Sequence, residues 1–168
     1  MRKRWIALYV ENQVGVLSKV SGLFSGKAYN LQTLTVGTTE DESVSRMTIS
    51  VMSDDITFEQ IKKQLNRFVE VIKVIDISEA PVYLKEIMFA TIEGLSSAQI
   101  DEALRFAKAF DINVKDIKSD AVLLECVFSE RKNDDLIDRL KREFKNVKIV
   151  RGGAVAVESF SNIVTGKY

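Results

Sequence analysis

The sequence predicts an α+β chain built from two successive βαββαβ units, each an antiparallel sheet with its helices on one face. Three observations carry that prediction. Strand-like and helix-like periodicities alternate in the same order twice, with a repeat of about eighty residues and little repetition of sequence. The lone proline among 168 residues stands between the two passes, in Glu79-Ala80-Pro81, which divides the chain into 1–78 and 79–168. A composition of 46% hydrophobic and 29% charged residues describes an ordered protein rather than a disordered one.

The first pass opens on residues 5–10, where Ile6, Leu8 and Val10 alternate with Trp5, Ala7 and Tyr9. That is the period of a strand, apolar on both faces, so its sheet needs cover from a second chain. Beyond the turn Asn12-Gln13-Val14-Gly15, the residues Val16, Leu17, Val20, Leu23 and Phe24 recur at helical spacing and form one apolar face. The helix is predicted to end near 26–28. Residues 31–38 read as a β-branched strand that breaks at Glu40-Asp41-Glu42. Residues 44–52 return as its hairpin partner, Met47, Ile49 and Val51 alternating with Arg46, Thr48 and Ser50. A second helix over 57–68 places Phe58, Ile61, Leu65 and Phe68 on one side, with Asp55 or Thr57 near its cap. A fourth strand occupies 69–77. Two helices over one face of four antiparallel strands is the ferredoxin-like arrangement.

The second pass repeats the order. A strand over 85–93 leads to a helix over 97–110 with Ile100, Ala103, Leu104, Ala107 and Phe110 inward. Residues 112–118 and 121–129 form a hairpin, 133–144 a helix with Leu136, Ile137, Leu140 and Phe144, and 147–157 a last strand running past Gly152-Gly153. Between its first strand and helix stands Glu93-Gly94-Leu95-Ser96-Ser97, where the serines are plain N-caps. The tail 158–168 has no assigned role.

Composition excludes several functions. Lys+Arg and Asp+Glu number 24 each, so nothing draws the chain to a polyanion, and Arg2-Lys3-Arg4 reads as a solvated end. Histidine is absent, which removes the commonest general base and zinc ligand. Cys126 is the single cysteine, in an apolar run, and reads as a small buried hydrophobe. The acidic groups Glu40-Asp41-Glu42 and Asp54-Asp55 fall at turns and read as solvated; magnesium is the alternative there. No window reaches the roughly 18 apolar residues that span a bilayer. Met1 leads into a strand without a signal-peptide core, so a cytoplasmic location is expected.

Chemistry concentrates at the turn before the first helix. If that helix begins near Gly15, its first amides lack intrahelical partners and converge on residues 12–15, an end that attracts carboxylate or phosphate. Gly15 admits close approach of an anion and can take a positive φ. Asn12 and Asn30 carry side-chain carbonyls that can accept from an ammonium, and Val14, Val16 and Leu31 are apolar neighbours for an aliphatic side chain. Spacing alone also fits a plain turn in which Gly15 bends the chain, Asn12 caps one helix and Asn30 ends it.

The run ENQVGVLSKVSGLFSGKAYNLQTLTV, followed by Thr39-Glu40-Asp41 and SRMTISV, resembles the ACT family of amino-acid-sensing domains, and within it the regulatory (small) subunits of acetolactate synthase. The likeness covers four consecutive elements and continues more faintly through EAPVYLKEIMFATI to the end. Val14 stands where many ACT domains have proline and Asn12 where many have aspartate; Lys27-Ala28 replaces the usual Arg-Gly before Tyr29-Asn30, so a glycine C-cap is missing. The resemblance implies an ACT domain over 1–78 and the small subunit's second domain over 79–168. It further implies a noncatalytic subunit that binds and activates the large catalytic subunit in branched-chain amino acid biosynthesis and confers feedback inhibition by valine. Thiamine diphosphate, magnesium and FAD would belong to that partner, with no cofactor in this chain. Valine would lie against the amides from Gly15 to Leu17, with Asn12, Val14, Val16, Asn30 and Leu31 around it, in a site shared by a homodimer or larger assembly. A stand-alone amino-acid sensor or transcriptional regulator fits the turn almost as well, although no DNA-binding segment is visible. An RNA-recognition domain would need aromatics in SRMTISV, and an acylphosphatase an arginine in residues 12–15; neither is present.

Overall fold

A computed structural model describes residues 1–160; residues 161–168, most of the tail, lie outside the described part. Two compact units are distinguished, one made of Met1–Tyr83 with the late strand Val155–Glu158, the other of Leu84–Ala154.

The first unit runs β1 (Arg2–Glu11), α1 (Val16–Gly26), β2 (Leu31–Thr38), β3 (Val44–Ser53), α2 (Asp55–Leu65) and β4 (Val71–Asp76). Its four strands are ordered β2-β3-β1-β4 and are all antiparallel. Alternation sets the inner face. Ile6, Leu8 and Val10 of β1 and Met47, Ile49 and Val51 of β3 share one core with Val16, Val20 and Phe24 of α1 and Phe58, Ile61 and Leu65 of α2. On the other face of β1 Ala7 is fully buried, while Lys3 lies over the Trp5 ring and Arg46 over the Tyr9 ring.

Helix ends depart from the sequence expectation for identifiable reasons. α2 begins two residues early because Asp54, extended at φ −81°, accepts from the Thr57 amide at 2.8 Å and from its hydroxyl at 3.0 Å; Asp54, not Asp55 or Thr57, is the cap. It stops at Leu65 because the next amides bond three residues back, Arg67 to Gln64 and Phe68 to Leu65. At the end of α1 the missing glycine is replaced by Ala28 itself, held at φ 56°. The Tyr29 amide bonds Phe24 O at 2.9 Å and the Ala28 amide Ser25 O at 3.2 Å, the paired bonds of a Schellman end.

The remaining elements are β5 (Val82–Glu93), α3 (Ser97–Ala109), β6 (Asn113–Lys118), β7 (Ala121–Phe128), α4 (Glu130–Glu143), β8 (Val147–Arg151) and β9 (Val155–Glu158). They form a five-stranded sheet ordered β6-β7-β5-β8, with β9 also paired to β5. α4 starts three residues before the expected 133 because Ser129 caps it, and β5 starts at Val82 rather than 85. The last strand is two, broken at Gly152-Gly153. Arg151 is drawn sideways onto Glu86 and Asp134, both at 2.6 Å, and the Gly152 amide bonds Ile87 O, so the chain leaves the β8 line there. Cys126 is fully buried beside Met88, and burial pushes its thiol up to about 11.

Candidate ligand site at the start of the first helix

Gly15 is the N-cap of α1, with φ 92° and ψ −14°, and no side chain caps this end. The other three long helices are closed: Asp54 caps α2, Ser129 caps α4, and Ser96 and Gln99 form a reciprocal capping box on α3. At α1 the Val16 amide reaches only Gln13 O, at 3.4 Å, and the first helical bond runs from the Lys19 amide to Gly15 O at 2.9 Å. No acceptor for the amides of Leu17 and Ser18 is found among the described residues. A Cβ built on Gly15 meets nothing within 4 Å, so the approach to these amides is open.

The turn itself is held firmly. The Glu11 amide bonds Glu70 O at 2.8 Å, the Asn12 amide bonds Ser43 O at 2.7 Å, and Lys19 forms an ion pair with Glu70 whose hydrogen bond holds that carboxyl below its usual range. Asn12 uses its side chain inside the protein. Its Nδ2 donates to Glu42 O at 2.9 Å, and its Oδ1 accepts from the Ser45 hydroxyl at 3.0 Å. The hairpin it grips is locked by Asp41, whose carboxyl is held low by the hydroxyl and amide of Ser43. Val14 is fully exposed at the tip, Leu17 is half-exposed, and Val16 sits in the core at 5% exposure, so its amide rather than its side chain faces the turn.

Asn30 and Leu31 lie elsewhere. Leu31 pairs with Val51, and Val51 with Arg4, whereas the turn follows Glu11 and its partner Val44. Seven residues of strand separate the two ends, roughly 20 Å. Within one chain, therefore, Asn12, Val14, Gly15, Val16 and Leu17 come together and Asn30 and Leu31 do not join them. Ser45 was not singled out from the sequence. Its signal was there, since it stands in phase with Met47, Ile49 and Val51 on the inward stripe of β3, a hydroxyl where the alternation calls for an apolar residue.

The corresponding loop of the second unit is closed. Leu95 N bonds Asp120 O at 2.8 Å, Glu93 N bonds Asn146 O at 3.0 Å, and a Cβ on Gly94 would meet the Asn146 side chain at 3.2 Å. Among the described residues no group of three His, Cys, Asp or Glu side chains is placed to hold a metal, and no helix is long and apolar enough to cross a membrane.

Residues 6–73 match the family model described as an AHAS small subunit-like ACT domain, and residues 85–159 that of the small subunit of acetolactate synthase. The chain is 37% identical over 157 residues to the acetolactate synthase small subunit of Aquifex aeolicus, covering 94% of this chain and 81% of that one. It is 31% identical over 162 residues to the acetolactate synthase isozyme 3 small subunit of Escherichia coli, covering 96% and 99%. The crystal structure of the acetolactate synthase small subunit from Thermotoga maritima superposes with a TM-score of 0.86 at 28% identity, covering 96% of this chain and 99% of that one.

Proposed function

The chain belongs to the family of acetolactate synthase small subunits, and from that premise we propose that it activates a thiamine-diphosphate-dependent catalytic subunit and makes it sensitive to valine. In this reading residues 1–78 bind the amino acid and residues 79–168 form the second domain. Cofactors belong to the catalytic partner. The observation that carries the reading is the open, side-chain-free start of α1 at Gly15, in a chain whose other helices are capped.

The chemistry of valine fits this end. Its carboxylate is matched to the amides of Val16, Leu17 and Ser18, where the helix dipole adds attraction. Its isopropyl group is matched to Val14 and Leu17, which the fold leaves exposed. Its ammonium needs carbonyl oxygens, and Asn30 is at the wrong end of the same sheet.

A second copy resolves this. β2 is an edge strand of eight residues without a charge, whereas the edge strands β4, β6 and β8 each carry a lysine. Uncharged edges invite pairing. Two β2 strands paired antiparallel about a two-fold axis put Asn30 and Leu31 of the partner subunit beside the Thr38 end, where Thr38 pairs with Ser45 and the glycine turn is near. A site shared in this way changes when the assembly changes. Valine then has different affinity for two arrangements, which is the requirement for regulation.

The test is reconstitution with the catalytic subunit of the same organism. Added small subunit raises acetolactate formation and valine lowers it, and calorimetry detects valine binding to the small subunit alone. Valine binding without any effect on a catalytic subunit would favour a stand-alone sensor; no binding and no activation would overturn the reading.

A further inference from the structure

Ser45 is 6% exposed and lies on the inward face of β3, between Val10 of β1 and Thr38 of β2. Its hydroxyl donates to Asn12 Oδ1 at 3.0 Å, while Asn12 Nδ2 donates to Glu42 O at 2.9 Å. The two bonds act together. The backbone carbonyl of Glu42 can only accept, so it takes the amide nitrogen and sets the orientation of the Asn12 side chain; the Ser45 hydroxyl, facing Oδ1, then donates and holds that oxygen in place. Asn12 then has one lone pair of Oδ1 and one N–H of Nδ2 uncommitted.

Resting on the amino-acid reading above, we propose that Ser45 is a positioning residue of that site: through Asn12 it fixes an oxygen acceptor at the turn and so makes the site select an α-ammonium. An ammonium donates to that lone pair. A 2-oxo acid with the same carbon skeleton presents a carbonyl oxygen, which repels it and has no hydrogen to give. Both ligands have the same carboxylate and the same branched chain, so the amides at the start of α1 and the exposed Val14 and Leu17 treat them alike. Discrimination between them therefore falls to the carbonyl acceptors, Asn12 and Asn30 of the partner subunit, and Ser45 is what holds the Asn12 oxygen in place. Without the hydroxyl the Asn12 side chain keeps only its anchor on Glu42 O, and Oδ1 is no longer held where the ammonium meets it.

The experiment uses the full chain and isothermal calorimetry with two probes, valine and 3-methyl-2-oxobutanoate. Wild type binds valine and discriminates against the oxo acid. Ser45→Ala weakens valine by about tenfold, the scale of one hydrogen bond to a charged group, and leaves the oxo acid unchanged or improved. Ser45→Thr, which keeps the hydroxyl, restores the preference. Melting temperatures of the variants separate this from loss of fold. Equal valine affinity in wild type and Ser45→Ala overturns the proposal, as does an equal loss of both ligands in a variant that melts normally. Failure of wild type to bind valine at all is a different result: it removes the site itself, and this proposal with it.

Discussion

Gly15 and Asn30 lie at opposite ends of the same four-stranded sheet. Gly15 follows the end of β1 that pairs with Val44, and Asn30 precedes Leu31, whose partner Val51 pairs with the start of β1 at Arg4. The most open helix start among the described residues is thus far from Asn30 within one chain, and two-fold pairing of the uncharged β2 edge is the arrangement proposed to join them.

Replacing Gly15 with aspartate should abolish valine binding and valine inhibition while activation of the catalytic subunit persists. The carboxylate would occupy the place of the ligand's own. There is room for it, since a Cβ meets nothing within 4 Å, but φ 92° penalises any side chain. Gly15→Ala is the control, costing about 1 kcal/mol of stability from the backbone alone. Full valine sensitivity in Gly15→Asp, measured by inhibition of the reconstituted synthase, would remove the turn from the account.

Ala28→Gly should stabilise the protein by about 0.5 to 1 kcal/mol, because Ala28 is exposed, packs little, and bears the left-handed conformation that glycine adopts freely. Asp111, at φ 57° after α3, ends its helix with the same pair of bonds, through Ile112 to Ala107 and Asp111 to Lys108. Asp111→Gly should gain less, since aspartate tolerates that region better. Urea unfolding measures both, and a loss of stability in Ala28→Gly would contradict the strain assigned to it.

Asp54 should make folding depend on pH. The Thr57 amide and then its hydroxyl hold this carboxyl below the usual range, so protons bind it more readily in the unfolded chain. Its contribution is present above the unfolded value, near 4, and is lost as pH falls through the lower folded value. Asp54→Asn retains a capping oxygen without the charge. The stability difference between wild type and Asp54→Asn should be largest near neutral pH and shrink below about pH 4; a difference that stayed constant to acid pH would contradict the assignment.

In the second unit, Arg151→Met should cost about 2 to 3 kcal/mol, because it strands Glu86, only 2% of whose side chain is exposed, inside the fold. Adding Glu86→Gln removes the orphaned charge and keeps a partner for Asn133, whose Nδ2 now bonds Glu86 at 2.9 Å. The double variant should recover part of the loss. Equal destabilisation of single and double variants in urea would show that the charge was not the cause.

Much of this was legible in the sequence because period-two and helical alternation are strong in both passes: the inward residues Ile6, Leu8, Val10, Met47, Ile49 and Val51 are buried as the alternation requires. Ends were less legible. The cap at Asp54 depends on which of two adjacent aspartates is extended, and the break after Arg151 on a long-range pair with Glu86, neither of which a local pattern carries. Gly15 could be picked out because a glycine before an apolar helix has a local reason. Ser45 could not be tied to Asn12 without the register of β1 against β3, which brings together residues thirty-three apart.

Mixed dimers test the shared site most directly. Gly15→Asp and Asn30→Ala chains, each unable to bind valine tightly alone, are combined and the heterodimer isolated by two affinity tags. In a site shared between subunits, one of the two sites then has an intact turn from one chain and Asn30 from the other. Calorimetry should find wild-type valine affinity at half the wild-type stoichiometry. A heterodimer that binds no better than its parents would contradict the shared site.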